Sequence, residues 1–273
     1  MVTADGQIAV AVRGAHPGLV LLADTDPRQV RFVALAGDAR HLALDGPDGP
    51  ILVPEESTDQ LVEVSVPGAR VERTVAVGHQ PHDAAAVGDG IAVGNEFGNS
   101  VDLIRPGFAP KVVAAPLQPG GVAADADGFV VVGVRARVIA AYTAAGVLVA
   151  QADCGTGPTH VVAGADGYFY VADTDGGALL VFRLRGDHLD QVGSIAVGSH
   201  PYGLAADLNA GWVYVTLTGS NQVVGLRLDG ARVDQRMVWP TGRQPNSVAV
   251  DEHRSLLVVT ATGADQIEFI PLG

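Results

Sequence analysis

This sequence predicts an all-β fold, a seven-bladed β-propeller of four-stranded antiparallel blades, on three observations. A turn dipeptide ahead of a short apolar run recurs seven times, about 41 residues apart on average, which is the period of a four-strand propeller blade. A Gly-x-x-Pro unit recurs in phase with it. The segments between are Val-rich and alternate apolar with small or polar residues, and none has a sustained helical period.

The turns come first. Asp5-Gly6, Asp48-Gly49, Asp89-Gly90, Asp127-Gly128, Asp166-Gly167, Ala210-Gly211 and Arg254-Ser255 each precede a run such as Tyr168-Phe169-Tyr170-Val171 or Leu256-Leu257-Val258-Val259. Glycine accepts positive φ, so each pair suits a tight hairpin. The second signal is the proline unit, seen at Gly78 to Pro81, Gly155 to Pro158, Gly198 to Pro201 and Gly242 to Pro245. Leu117-Gln118-Pro119 is a variant, and Gly37 to His41 carries Ala39 in place of proline.

One repeat therefore reads as four strands. Strand A follows the proline and strand B follows the turn. A polar loop such as Asp173 to Gly177 leads to strand C, and strand D leads into the next proline unit. The blades fall near residues 1–36, 37–77, 78–115, 116–154, 155–197, 198–241 and 242–273, as one domain. The first is short of its A strand and the last of its D strand. Six blades plus an N-terminal hairpin is the alternative, and it accounts less well for the turn at Asp5-Gly6.

Composition agrees and excludes. Hydrophobic residues make up 48% and aromatics 5%, which suits thin sheets of Val, Ala and Gly packed closely. The net charge of −13 argues against a nucleic-acid partner. One cysteine excludes a disulfide framework and multi-cysteine metal sites. No apolar run approaches the roughly 18 residues of a spanning helix, and a monomer is expected. No Gly-x-Ser-x-Gly elbow, phosphate loop or His-Glu-x-x-His occurs.

In a propeller the D–A and B–C loops share one mouth of the axial channel. The D–A positions supply Arg40, His41, His82, Asp83, His160, Tyr202 and Asn246. The B–C loops supply Arg13, Glu56, Glu96, Arg135 and Asp173. The A–B turns are nearly uniform, whereas these positions are chemically varied, so they are the candidate ligand-binding set.

Within that set, His82 with Asp83 is the most suggestive pair. Histidine suits a general base or a metal ligand, and Glu96 is the candidate acid beside it. His41 and His160 stand one repeat position later than His82. Strand alternation is expected to turn them to another side, so a three-histidine metal site is not favoured. Glu56, Glu96 and Asp173 could bind a hard divalent cation, but capping turns is the favoured reading. Arg13 and Arg135 could pair with these acids or clamp an anion. Cys154 reads as a small buried filler. No cofactor is expected, beyond the chance of a divalent cation.

The unit from Gly242 to Asp251, with Val213-Tyr214-Val215-Thr216, resembles the YVTN-type β-propellers, grouped with lactonase-like and surface-layer-associated propellers. The resemblance spans the chain. A more distant likeness is to streptogramin lyase, carried by Pro81-His82-Asp83 and Pro201-Tyr202-Gly203. The first resemblance implies a secreted, periplasmic or lipoprotein-anchored protein whose signal segment is absent from this chain, with a cytoplasmic one as the alternative. The second implies a His, a Glu and a divalent metal at a channel mouth.

Two functions follow as expectations. The favoured one is an extracytoplasmic binding or scaffold protein that recognises a small molecule or protein partner at the mouth. The alternative is a lactonase-like hydrolase or lyase acting there with His82 as base. Two or more His or carboxylate side chains meeting at one point would favour the enzyme.

Overall fold

In the computed structural model, which describes residues 1–273 other than 24 and 27, the chain is all-β and forms a seven-bladed β-propeller. Its sheets follow chain order. The first holds β1 (Ile8–Val12), β2 (Gly18–Leu22) and β3 (Val30–Ala34). The second holds β4 (Ala43–Leu44), β5 (Ile51–Glu55), β6 (Gln60–Ser65) and β7 (Arg70–Ala76). The third holds β8 (Pro81–Val87), β9 (Gly90–Asn95), β10 (Ser100–Ile104) and β11 (Lys111–Ala114). The fourth holds β12 (Pro119–Ala124), β13 (Gly128–Gly133), β14 (Val138–Thr143) and β15 (Leu148–Asp153).

The fifth sheet holds β16 (Pro158–Ala163), β17 (Tyr168–Asp173), β18 (Ala178–Arg185) and β19 (His188–Ala196). The sixth holds β20 (Pro201–Asp207), β21 (Trp212–Leu217), β22 (Gln222–Asp229) and β23 (Arg232–Pro240). The seventh holds β24 (Pro245–Asp251), β25 (Leu256–Ala261) and β26 (Gln266–Pro271). As expected, the first sheet lacks its A strand and the last lacks its D strand among the described residues. No helix of the described residues is long and apolar enough to cross a membrane.

Two compact units divide the chain, Met1–Ala136 with Tyr142–Leu148, and Arg137–Ala141 with Val149–Gly273. In the first unit, Leu19, Leu21, Val53, Val62 and Val64 form one core cluster, and Leu52, Leu61, Ile91, Val93 and Ile104 form another. In the second, Leu179, Val181, Val215, Leu217 and Leu226 form a cluster, and Tyr214, Val223, Leu257 and Val259 form the next. Each cluster joins residues of successive sheets, and short branched side chains allow that spacing.

Glycines mark the closest approaches. A Cβ on Gly203 would lie 2.6 Å from the Asn246 carbonyl oxygen and 2.9 Å from the Ser247 Cα, both backbone atoms of the next sheet. The hairpin turns carry positive φ at Gly6, Gly49, Gly167, Gly211 and Ser255. At Asp89-Gly90 the positive φ falls instead on Gly88, and Gly90 already opens β9. Gly128 likewise belongs to a strand, where a Cβ would lie 2.0 Å from the Tyr142 carbonyl oxygen.

The junction ahead of β8, β12, β20 and β24 is built to one plan. Gln80, Gln118, His200 and Gln244, each just before a proline, are left-handed, with φ of 51°, 59°, 55° and 54°. Asp59 Oδ1 accepts the Gln80 N–H at 2.8 Å, Asn99 Oδ1 the Gln118 N–H at 2.9 Å, and Asn221 Oδ1 the Gln244 N–H at 2.9 Å. Their carbonyls accept the N–H groups of Glu96 (2.9 Å), Val134 (2.8 Å) and Thr262 (3.1 Å).

One extra residue enters at the start of each A strand, whether or not this junction precedes it. Pro81 pairs with Asn95 and Asp83 with Gly94, so His82 is the extra residue. Thr159 and His160 together face Ala172, and Tyr202 and Gly203 together face Thr216. Gly120 and Asn246 are extra residues in β12 and β24. In the second sheet, Ala39 bridges Glu55 and Ala43 pairs Leu52, so three residues including His41 face two. A bulge of this kind bends the strand and re-aims its side chain.

Gly203→Ala tests the packing between sheets. The added methyl meets backbone, so the variant is expected to lose ~1–3 kcal/mol of stability in urea unfolding. An unchanged midpoint would contradict the close approach.

Candidate functional site

The bulge in β8 turns His82 into the protein, where its Nδ1 lies 2.8 Å from Glu96 Oε2, with both side chains buried. Glu96 follows β9 directly, and its backbone N–H is held by the Gln80 carbonyl, two residues before His82. The junction therefore sets base and acid against each other. The second Glu96 oxygen, Oε1, accepts a hydrogen bond from Gln118 Nε2 at 2.8 Å.

Burial works to raise the Glu96 carboxyl. The hydrogen bonds from His82 and Gln118, with the charges of His82 and Arg40, outweigh it and hold the group below the ordinary carboxylate value. Glu96 is thus ionised at neutral pH and can only accept, so His82 donates through Nδ1–H. That directs its other ring nitrogen, Nε2, away from Glu96.

His41 stacks on His82, with ring centroids 5.0 Å apart and an interplanar angle of 24°. His160 is buried and meets Tyr202 edge-on, with centroids 4.5 Å apart. The expected separation of His82 from His41 by strand alternation does not occur. The reason is physical: both lie in bulged stretches, where simple alternation fails.

The other candidates have local tasks. Asp83 accepts the Val122 N–H at 3.0 Å and the Ala84 N–H at 2.9 Å, tying the third sheet to β12. Burial pushes its carboxyl up to about 6 against those bonds and the His82 charge. Glu56 pairs with Arg13 (3.1 Å) and Arg40 (2.9 Å). Asp173 caps the loop ahead of β16, accepting the N–H groups of Thr156, Gly157 and Gly176. Glu56, Glu96 and Asp173 are therefore each engaged with different partners, in keeping with turn-capping for Asp173. Asn246 Oδ1 accepts the Thr260 hydroxyl at 3.1 Å. Arg135 is exposed, and Tyr202 is half-buried.

Sequence reasoning missed Gln118 as a site residue. Its signal was its place just before a proline, where the left-handed backbone and the Asn99 bond aim the side chain at Glu96.

Fold and site define a class, a seven-bladed β-propeller with a buried His–Glu pair on which a further histidine stacks. No family model matches the sequence, and no curated protein matches it. Solved structures do. Virginiamycin B lyase from Staphylococcus aureus is 13% identical with a TM-score of 0.81, over 100% of this chain and 94% of that one. A catalytically inactive histidine-to-alanine form of that lyase was solved with quinupristin. Kuenenia stuttgartiensis hydrazine synthase is 17% identical with a TM-score of 0.80, over 99% of this chain and 94% of that one. A putative 6-phosphogluconolactonase from Bacteroides fragilis is 13% identical with a TM-score of 0.74, over 97% of this chain and 94% of that one. At these identities the likeness is one of fold.

Cys154 is fully buried, and burial with the Asp173 charge pushes its thiol up to about 12. The native protein is therefore expected to resist a thiol reagent at about pH 8, and the denatured chain to react once. Rapid labelling of the native form would contradict this placement.

Proposed function

We propose that this propeller is a hydrolase or lyase of an ester or lactone linkage, with His82 as its general base. One observation carries the reading, the buried His82–Glu96 hydrogen bond with Glu96 itself held by Gln118. A binding module has no need to bury an oriented histidine on an ionised carboxylate, which costs desolvation. Catalysis does: Nε2 takes a proton from water or from substrate carbon, and Glu96 stabilises the imidazolium that forms.

The stacking of His41 on His82 supports the same choice over a scaffold. So does the fold shared with a lyase and a putative lactonase. The YVTN resemblance adds an extracytoplasmic location to the reading.

The test is a panel of lactones and cyclic ester-linked peptides, quinupristin among them. The wild type is expected to turn over at least one member. His82→Ala should lower kcat/KM by ~100- to 10,000-fold, the usual contribution of a positioned base. Glu96→Gln should lower kcat more than it raises KM, because it leaves the ring unsupported and not the substrate. A wild type that turns over nothing while retaining a ligand would return the chain to the binding reading.

A further inference from the structure

We propose that Phe97 and Leu117 hold an apolar substituent of the substrate beside the His82–Glu96 pair, so that the linkage acted on is an ester or lactone carrying a bulky alkyl or aryl group. The inference rests on the proposed function for the reaction, and its binding step is measured apart from turnover. His82, Glu96, Phe97, Leu117 and Gln118 all belong to the first compact unit.

Placement is the first observation. Phe97 follows Glu96 directly, and Leu117 precedes Gln118 directly. Gln118 Nε2 donates to Glu96 Oε1 at 2.8 Å, so one apolar residue stands on the chain next to each partner of that bond. Backbone bonds pin both stretches. The Gln80 and His79 carbonyls accept the N–H groups of Glu96 and Gly98, on either side of Phe97, at 2.9 and 3.1 Å. The Leu117 and Gln118 carbonyls accept the N–H groups of Ala136 and Val134 at 3.3 and 2.8 Å. Both side chains are therefore presented from a fixed backbone.

Exposure is the second. His82 and Glu96 are buried, yet Phe97 is 55% exposed and Leu117 53%. Large apolar side chains left in water forgo the gain of burial. The backbone does not require them either, since the left-handed residues of these stretches are Gln80, Asn99 and Gln118.

The repeat is the third. Single exposed apolar residues are ordinary on any surface. Here the junctions ahead of β8, β12, β20 and β24 share one plan, so equivalent positions are comparable. Two residues before the proline stand His79, Leu117, Ser199 and Arg243. After the residue whose N–H meets the left-handed carbonyl stand Phe97, Arg135, Gly219 and Gly263. The plan thus needs no apolar residue at either place. Both apolar choices fall on the residues next to the Glu96–Gln118 bond, where they serve the site and not the junction. Burial of an alkyl or aryl group against them supplies binding shared by ground state and transition state, so it acts on KM.

The experiment uses the full chain and two series that share a ring and differ in alkyl length. γ-Lactones from γ-valerolactone to γ-dodecalactone report turnover. The matching γ-lactams, which resist hydrolysis, report binding by calorimetry. Wild-type affinity is expected to rise with lactam chain length, and KM to fall along the lactone series. Phe97→Ser and Leu117→Ser should each weaken binding of the longest lactam ~10-fold or more, and raise KM for the longest lactone with little change in kcat. Phe97→Leu should recover most of the loss. Phe108→Ser, which removes an exposed apolar side chain between β10 and β11, should match the wild type.

Phe97 and Leu117 are exposed, so their variants are expected to fold, as checked by thermal melting. Wild-type lactam affinity that does not grow with chain length would overturn the proposal. So would an undiminished chain-length preference in folded Phe97→Ser and Leu117→Ser. Self-association of the wild type that Phe97→Ser abolishes, with no lactam bound, would assign these side chains to a second copy of the chain and overturn it as well. Chain-length-dependent lactam binding without turnover would count against the proposed activity alone, and turnover indifferent to chain length against this inference alone.

Discussion

Much of this molecule depends on how the chain is locked just before the A strands β8, β12, β20 and β24. A residue held left-handed by one bond to its N–H and one to its C=O cannot shift along the strand it introduces. Left-handed backbone costs a non-glycine residue ~1 kcal/mol or more, so its recurrence at Gln80, Gln118, His200 and Gln244 needs compensation. At three of these positions the accepting side chain, Asp59, Asn99 or Asn221, lies in the loop after a B strand of the preceding sheet, and is itself left-handed. Each lock therefore also registers one sheet against the next.

The extra residue that follows gives this lock its chemical use. With the pairing fixed at Pro81 and again at Asp83, His82 has no partner position in the ladder and its side chain is free of the alternation rule. The same Gln80 that precedes it holds the Glu96 backbone. The Gln118 lock one sheet later supplies the amide that holds the Glu96 carboxylate. A single structural device, used twice, thus builds a buried histidine hydrogen-bonded to a carboxylate from separate parts of the chain. Without those partners, an ionised carboxylate at this depth would be costly.

The fold was legible from sequence because its punctuation is local. Turn dipeptides and proline units need only neighbouring residues, and they marked seven sheets with the first and last incomplete. Positions that depend on pairing were not legible. Gly90 and Gly128 read as turn glycines, but register places both in strands. His82 and Glu96 were recognisable as residue types at corresponding loops. The stacking of His41 on His82 was not, because an extra residue in a strand leaves no mark on the hydrophobic pattern. Gln118 looked like a spacer. Asp173 looked available, yet three backbone N–H groups occupy it.

The central claim is that Glu96 fixes the tautomer and direction of His82. Long-range ¹H–¹⁵N correlation of the histidine side chains reads this directly, with His82 assigned by its loss in His82→Gln. At neutral pH Nδ1 of His82 is expected to carry a proton protected from solvent exchange, and Glu96→Gln to remove that protection. A His82 ring protonated at Nε2, or one averaging between tautomers in the wild type, would contradict it.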